Sequence, residues 1–247
     1  MQVEGAVALV TGANRGLGRA FTRALLDAGA AKVYAGARDP ATVTDPDVVP
    51  VALDVTDHAQ VAAVAADLGD VTIVINNAGV GYDAAIVGGD GLAAHRAEFE
   101  VNYFGPLAVS RAFAPVLKAN GGGAIVNMLS ALSWVAFPQH GNYSATKSAA
   151  WALTNVLRTQ LRGQGTQVVG VHAGYIDTDM VASVDAPKVS PDHVARVTVE
   201  GIVAGAEEVL ADDISRYVKA ALPNDLEAIY PDIQKGYDEA TASAAAS

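Results

Sequence analysis

Tyr143 and Lys147 stand four residues apart at the head of a helical pattern, thirteen residues beyond Ser130, which closes an apolar run at 124–129. That spacing puts a phenol and an ammonium on one helix face, one turn apart. A free phenol has a pKa near 10. An ammonium about 4 Å away, at an effective dielectric of ~20, interacts with the phenolate by roughly 4 kcal/mol, an upper limit of about three pKa units. Lys147 would therefore carry Tyr143 toward neutrality, where a general acid–base works best, and Ser130 would hydrogen-bond the oxygen that gains or loses the proton. The plain alternative is a surface tyrosine and lysine beside a strand-end serine. The rest of the chain decides between the two.

A second set of residues could hold a phosphate. Thr11-Gly12-Ala13-Asn14-Arg15-Gly16-Leu17-Gly18 follows the short apolar run Ala6–Val10 and precedes a helical pattern in which Leu17, Phe21, Ala24, Leu25 and Ala28 recur at steps of three and four. Glycines at 12, 16 and 18 let the backbone turn tightly and approach a diphosphate, and the helix N-terminus offers free N–H donors to an anion. Past the next strand, at 32–37, stand Arg38 and Asp39. A guanidinium at a strand tip would grip a ribose 2′-phosphate, with Arg15 near enough to assist, whereas a carboxylate would bond a free 2′-hydroxyl. Asp54 and Val55 follow the third strand, and Asn76-Asn77-Ala78-Gly79 the fourth, where small residues would let the backbone pass close to a flat ring. Asn76 and Asn77 would serve equally as turn formers.

These residues need a scaffold that brings strand ends together. The chain alternates strand-like runs at 6–11, 32–37, 48–53, 72–76, 124–129 and 167–173 with helical stretches at 17–28, 57–67, 91–117, 143–162 and 191–205. Ser190-Pro191 reads as an N-cap followed by proline at the first helical position. A seventh strand is predicted at 208–211 and a last helix at 213–221. The fold class is α/β, a doubly wound parallel sheet of six or seven strands with helices on both faces. One domain is expected over 1–239, and the small-residue tail at 240–247 is expected to be disordered.

Composition excludes several classes of function. A net charge of −11 argues against a nucleic-acid surface, and the absence of cysteine removes disulfides and thiolate metal sites. The five histidines are scattered, so no metal is expected. No apolar run approaches the ~18 residues of a membrane span and nothing resembles a signal peptide, so a cytoplasmic protein is expected.

Taken together, Thr11-Gly12-x-x-x-Gly16-x-Gly18, Asn76-Asn77-Ala78-Gly79, Asn102, Ser130 and Tyr143-x-x-x-Lys147 closely resemble the short-chain dehydrogenase/reductase family in its single-domain form, over residues 6 to about 180. The resemblance implies a Rossmann-type sheet and reversible hydride transfer between a carbonyl or alcohol and a nicotinamide cofactor. Tyr143 would be the acid–base, Lys147 would lower its pKa and bond the nicotinamide ribose, Ser130 would position the substrate oxygen, and Asn102 would hold a water in a proton relay. Cofactor contacts would fall on Gly12, Asn14, Arg15, Gly16, Leu17 and Gly18, on Arg38, Asp54, Val55, Asn77, Ala78 and Gly79, and on Gly174, Ile176 and Thr178. Arg15 with Arg38 matches the basic pair of NADP-preferring members, so NADP(H) is expected, with NAD(H) as the second choice. A homo-oligomer, dimer or tetramer, is also implied.

The chain departs from the family pattern twice. Ala173-Gly174 stands where Pro-Gly is frequent, and the glycine-rich end to the seventh strand is missing. Trp134, Val135, Phe137, His140, Tyr175, Met180 and Val181 would line an apolar, partly aromatic substrate pocket suited to a small or medium ketone or aldehyde. Two other readings are a nucleotide-sensing binding protein, which would show a broken catalytic set, and a cofactor-dependent isomerase or dehydratase, for which the residues after 180 leave little room.

Overall fold

The apolar run after Ala6 becomes the central strand. In β1 (Val7–Thr11), Ala8 and Val10 point into one core cluster and Leu9 into another, all fully buried. A strand covered on both faces shows no polar alternation because neither side meets water. The computed structural model describes residues 1–82, 85–88 and 91–245. Around β1 lie β2 (Lys32–Ala37), β3 (Val49–Ala52), β4 (Ile73–Asn76), β5 (Gly123–Met128), β6 (Thr166–His172) and β7 (Glu208–Leu210). All seven strands are parallel, in the order β3-β2-β1-β4-β5-β6-β7. The chain moves outward one way from β1 and then restarts at β4 in the other direction. A crevice opens between β1 and β4 at their C-terminal ends, the usual ligand position in such sheets.

The helices are α1 (Gly16–Asp27), α2 (His58–Asp67), α3 (Ala93–Phe99), α4 (Gly105–Ala119), α5 (Gly141–Leu161), α6 (Pro191–Ala204), α7 (Asp213–Ala221), α8 (Asp225–Ala228) and α9 (Tyr230–Ala245). Phe21 and Leu25 of α1 and Val194 and Ile202 of α6 cover one face of the sheet. Val61 of α2, Phe113 and Leu117 of α4, and Leu153 and Leu157 of α5 cover the other. Phe21 is fully buried and holds α1 on the sheet. Phe21→Ala is expected to destabilise the protein by about 3–5 kcal/mol, measured by chemical denaturation, because the cavity adds to the lost transfer energy.

One expected helix changes. The stretch predicted as one helix over 91–117 starts at Ala93 and is interrupted by a π-helical turn, Glu100–Phe104, before α4. Such turns insert one residue and re-aim the side chains around them, and this one carries Asn102. The strand expected at 48–53 forms as β3 at the sheet edge, where Val49 is 43% exposed and Pro50, lacking an N–H, is tolerated. Residues 240–245 lie at the end of α9, as alanine's helix propensity allows. The sequence pattern also missed α8 and α9, whose Ile229 and Ile233 pack with Val218 of α7 on Ala131, Trp134 and Val135. Val135 is buried in this small third core, and Trp134 packs against it while staying partly exposed.

Candidate active site

The glycine loop is held open by its glycines. Gly12 and Gly16 have φ of +64° and +52°, and a Cβ on Gly12 would lie 3.0 Å from Ala78 Cα. A Cβ on Gly18 would fall inside the van der Waals shell of Gly12 O. Arg15 N-caps α1 without a side-chain hydrogen bond and no acidic residue stands in the first turn, so the leading N–H groups of α1 face the crevice uncapped. A loop that only glycine can form, under an uncapped helix N-terminus, fits a diphosphate.

Asn77, expected as a cofactor contact, also binds the scaffold. Asn77 Nδ2 donates to Thr11 O (2.9 Å) and Gly12 O (3.2 Å), stitching the glycine loop to the end of β4. Thr11 Oγ1 accepts from the N–H groups of Asn77 and Ala78, both at 3.0 Å. Thr11 is thus a structural residue that the motif contains without revealing its role. Leu17 is buried in the core, leaving its backbone for the crevice. Val55 likewise turns inward: a Cβ on Gly105 would lie 2.9 Å from its Cγ2. Asn14 lies partly buried in the loop.

The expected basic pair is divided. Arg15 Nη1 bonds Asp179 Oδ2 at 2.9 Å, both side chains more than two-thirds exposed, so this bridge is worth at most about 1 kcal/mol. Arg38 has no ion-pair partner among the described residues. Its neighbour Asp39 is occupied in accepting from Ala41 N–H at 3.0 Å. Asp54 accepts from Thr56 N–H (2.9 Å) and hydroxyl (2.7 Å). Partial burial works to raise the Asp54 pKa, but these bonds and the Arg38 guanidinium bring it below the usual carboxylate value.

At the other end of the crevice, Asn102, Tyr143 and Lys147 converge on the loop after β4. A Cβ on Gly79 would lie 3.4 Å from Asn102 Oδ1 and 3.8 Å from Lys147 Nζ, and one on Gly81 would lie 3.7 Å from the Tyr143 ring. Lys147 Nζ lies 5.5 Å from the Tyr143 ring centroid and donates to Met128 O at 2.9 Å. Asn102 is buried, donates to Val80 O (2.8 Å) and Thr146 Oγ1 (3.1 Å), and accepts from Val80 N–H (2.9 Å). Both its donors are thereby used, leaving one acceptor position on Oδ1.

The electrostatics differ from the expectation that Lys147 lowers Tyr143. Burial pushes the phenol up, and the carboxylate of Glu98 pushes it further. Burial likewise brings the Lys147 ammonium down to about 8, with Glu98 opposing the fall. Desolvation outweighs the single favourable charge: Lys147 is buried and Tyr143 is partly buried, so loss of water acts against both charged forms. Without a bound ligand, Tyr143 is a protonated phenol across the physiological range.

Ser130, buried at the end of β5, accepts from Leu132 N–H (3.1 Å) and donates to Ala173 O (3.5 Å). Behind it, His172 Nδ1 lies 2.9 Å from Ser130 O and Trp134 stacks on the imidazole at 3.8 Å. Burial lowers the His172 pKa to about 4, so the ring is neutral and its Nδ1–H donates to the carbonyl. Where the family's proline is absent, Asp212 supplies the restraint: its Oδ2 accepts from Gly174 N–H at 2.6 Å, and a Cβ on Gly174 would lie 2.8 Å from Ile214 Cδ1. Ile176 pairs with Val189, and Thr178 lies against the glycine loop, its Cγ2 3.3 Å from a Cβ on Gly16. Sequence reasoning missed Glu98, Thr11, His172 and Asp212. Only Glu98 left a signal, a carboxylate four residues before Asn102 on a helix.

Among the described residues no group of three potential metal ligands occurs, and no helix is long and apolar enough to cross a membrane.

Known proteins bear on this geometry. Residues 6–188 match the family model described as short chain dehydrogenase. A short chain dehydrogenase of Burkholderia cenocepacia J2315, whose crystal structure is in complex with NADP, is 42% identical, with a TM-score of 0.89 over 94% of this chain and 99% of that one. A curated short chain dehydrogenase of Aspergillus terreus, tazN, is 32% identical over 217 residues, 81% of this chain, which spans only 47% of its length. A cis-4-hydroxycyclohexanecarboxylate dehydrogenase of Sinomonas cyclohexanicum is 32% identical over 231 residues, 87% of this chain and 93% of that protein.

Proposed function

The chain belongs to the short-chain dehydrogenase family of oxidoreductases, and from that premise we propose that it is an NADP-dependent carbonyl reductase or alcohol dehydrogenase. Hydride would pass between NADPH and a small to medium apolar ketone or aldehyde, with Tyr143 as acid–base. The observation that carries this reading is the convergence of Tyr143, Lys147 and Asn102 on Gly79 and Gly81, beside a glycine loop with an uncapped helix N-terminus.

When bound, the nicotinamide supplies or accepts hydride. Tyr143 gives its hydroxyl proton to the carbonyl oxygen during reduction and takes it back in the reverse direction. Ser130, fixed through its backbone by His172, hydrogen-bonds the same oxygen and holds it beside the phenol. Lys147 lies under the Tyr143 ring and raises the local positive potential as the phenolate forms. Asn102 keeps the loop after β4 against α5 and offers its free acceptor position to a water. The uncapped N–H groups of Leu17 and Gly18 would hold a diphosphate, and Thr178 stands against the same glycine loop. We read the working form as a cytoplasmic homo-oligomer.

The choice of NADP over NAD rests on Arg38, unpaired at the tip of β2, and on the NADP bound by the Burkholderia cenocepacia relative. A panel of ketones and aldehydes offered with each cofactor tests the whole reading, and no turnover of NADPH with any of them would remove it. Arg38→Asp is expected to lower the NADPH/NADH ratio of kcat/KM by at least about tenfold, about 1.4 kcal/mol of discrimination. An unchanged ratio would show that another residue reads the phosphate.

A further inference from the structure

Glu98 is fully buried, yet among the described residues its hydrogen bonds come from neutral groups. Oε1 accepts from Tyr82 N–H at 2.8 Å, and Oε2 accepts from Asn142 Nδ2. Asn142 immediately precedes Tyr143 in α5, and Tyr82 follows Gly81, which faces the Tyr143 ring. A Cβ on Gly81 would lie 3.7 Å from that ring and 4.0 Å from Glu98 Oε1, so the carboxylate, the phenol ring and the loop after β4 meet at one point. An interior carboxylate is costly unless it is compensated, and neutral dipoles compensate it less well than a cation does. A cation that feels this carboxylate is Lys147, which is itself buried and, among the described residues, donates to the Met128 carbonyl.

We infer that Glu98 is a positioning residue that holds the Tyr143–Lys147 pair in its fully protonated form, setting the site to donate a proton to a carbonyl rather than to remove one from an alcohol. This rests on the reading of Tyr143 as the acid–base. Two effects are combined. The hydrogen bonds clamp the head of α5 to the loop after β4, fixing where the phenol stands. The negative charge stabilises ammonium and opposes phenolate, which widens the alkaline range over which the phenol remains a donor. The direction of both shifts agrees, since Glu98 raises the proton affinity of Tyr143 and of Lys147 alike. The titratable groups facing the carboxylate from α5 are Tyr143 and Lys147. Its own helix adds His95, partly buried, whose carbonyl also accepts from Asn142 at 3.3 Å. The π-helical turn contributes the neutral Asn102, and the loop after β4 contributes the Tyr82 amide.

The test reads Lys147 directly, in the free protein, from the NMR titration of its Nζ with assignment by Lys147→Arg. In the native chain the midpoint should lie near 8. Glu98→Gln should move it down by about one pH unit, a tenfold loss of proton affinity. The double variant Glu98→Gln/Asn142→Asp returns one negative charge to the same hydrogen bond with donor and acceptor exchanged, and should bring the midpoint most of the way back. The alkaline limb of NADPH-dependent reduction should follow, falling at lower pH in Glu98→Gln and recovering in the double variant. A clamp without an electrostatic role would change kcat but leave both midpoints where they are, and that result overturns the inference. If Glu98→Gln does not fold, the double variant decides, since a midpoint well below the native one with the charge restored is equally fatal. A shifted Lys147 midpoint in a protein that reduces no carbonyl would leave the electrostatic coupling standing and remove the enzymatic reading instead.

Discussion

Tyr143→Phe is expected to lower the rate of carbonyl reduction by about two to four orders of magnitude while leaving NADPH affinity within about a factor of two. The substitution removes one hydroxyl and keeps the ring that packs over Gly81 and Lys147. The fold should therefore survive, and the loss can be assigned to proton transfer. Burial and Glu98 both favour the neutral phenol, so on this reading the native chain would hold the proton to be transferred before substrate arrives. The phenylalanine variant has none to give at that position. Single-turnover rates with saturating NADPH, together with a binding titration followed by cofactor fluorescence, separate the two quantities. Equal rates for the two proteins would move the acid–base role to another residue. A parallel loss of NADPH binding would mean that the hydroxyl acts on the cofactor rather than on the substrate.

The framework of the site was legible in the sequence because it depends on short-range patterning. Apolar runs such as Ala6–Val10 are buried on both faces, and the step of three and four in α1 buries Phe21 and Leu25. Ser190 caps α6 through His193 N–H at 3.2 Å, with Pro191 at the first helical position, as the sequence predicts. What escaped depends on contacts between residues far apart in the chain. Nothing near Gly174 indicates that Asp212 replaces the restraint of a missing proline, because the two are brought together only by β6 and the turn before α7. His172 sits in an apolar strand, and its partner Ser130 is 42 residues away. The apolar positions of α8 and α9 are too few to mark them, and Trp134, against which they pack, stands between Ser130 and Tyr143 in the sequence, far from both helices.

The electrostatics escaped for a different reason. An estimate from the Tyr143–Lys147 pair alone counts one favourable charge at an effective dielectric of ~20. It omits the cost of burying both groups and the presence of a third charge, Glu98, each of which requires tertiary structure to be known. The sign of the net effect on the phenol is therefore reversed, while the two side chains do stand together, Lys147 Nζ 5.5 Å from the Tyr143 ring centroid. Spacing along a helix selects which groups meet, and the surroundings they meet in decide which of them holds the proton.

Gly18→Ala is the second change with a large expected effect, and it acts on the other half of the crevice. The added methyl would lie 2.7 Å from both the Gly12 carbonyl carbon and Asn77 Nδ2, and closer still to Gly12 O. None of these is the free end of a flexible side chain. Gly12 is fixed between β1 and α1, and Asn77 is tied by the hydrogen bonds that join the glycine loop to β4. Relief requires the loop to move away from the α1 N-terminus, which separates the N–H donors from the position where a diphosphate would lie. Overpacking of this kind costs about 1–3 kcal/mol, so NADPH should bind roughly ten- to a hundredfold more weakly and the thermal midpoint should fall with it. Gly69→Ala is the control, since a Cβ there meets nothing within 4 Å, and it should change neither quantity. If Gly18→Ala loses stability but binds NADPH as the native chain does, the loop is a structural turn and the diphosphate lies elsewhere. If both measurements match the control, the close approach of α1 to β4 does not exist in solution.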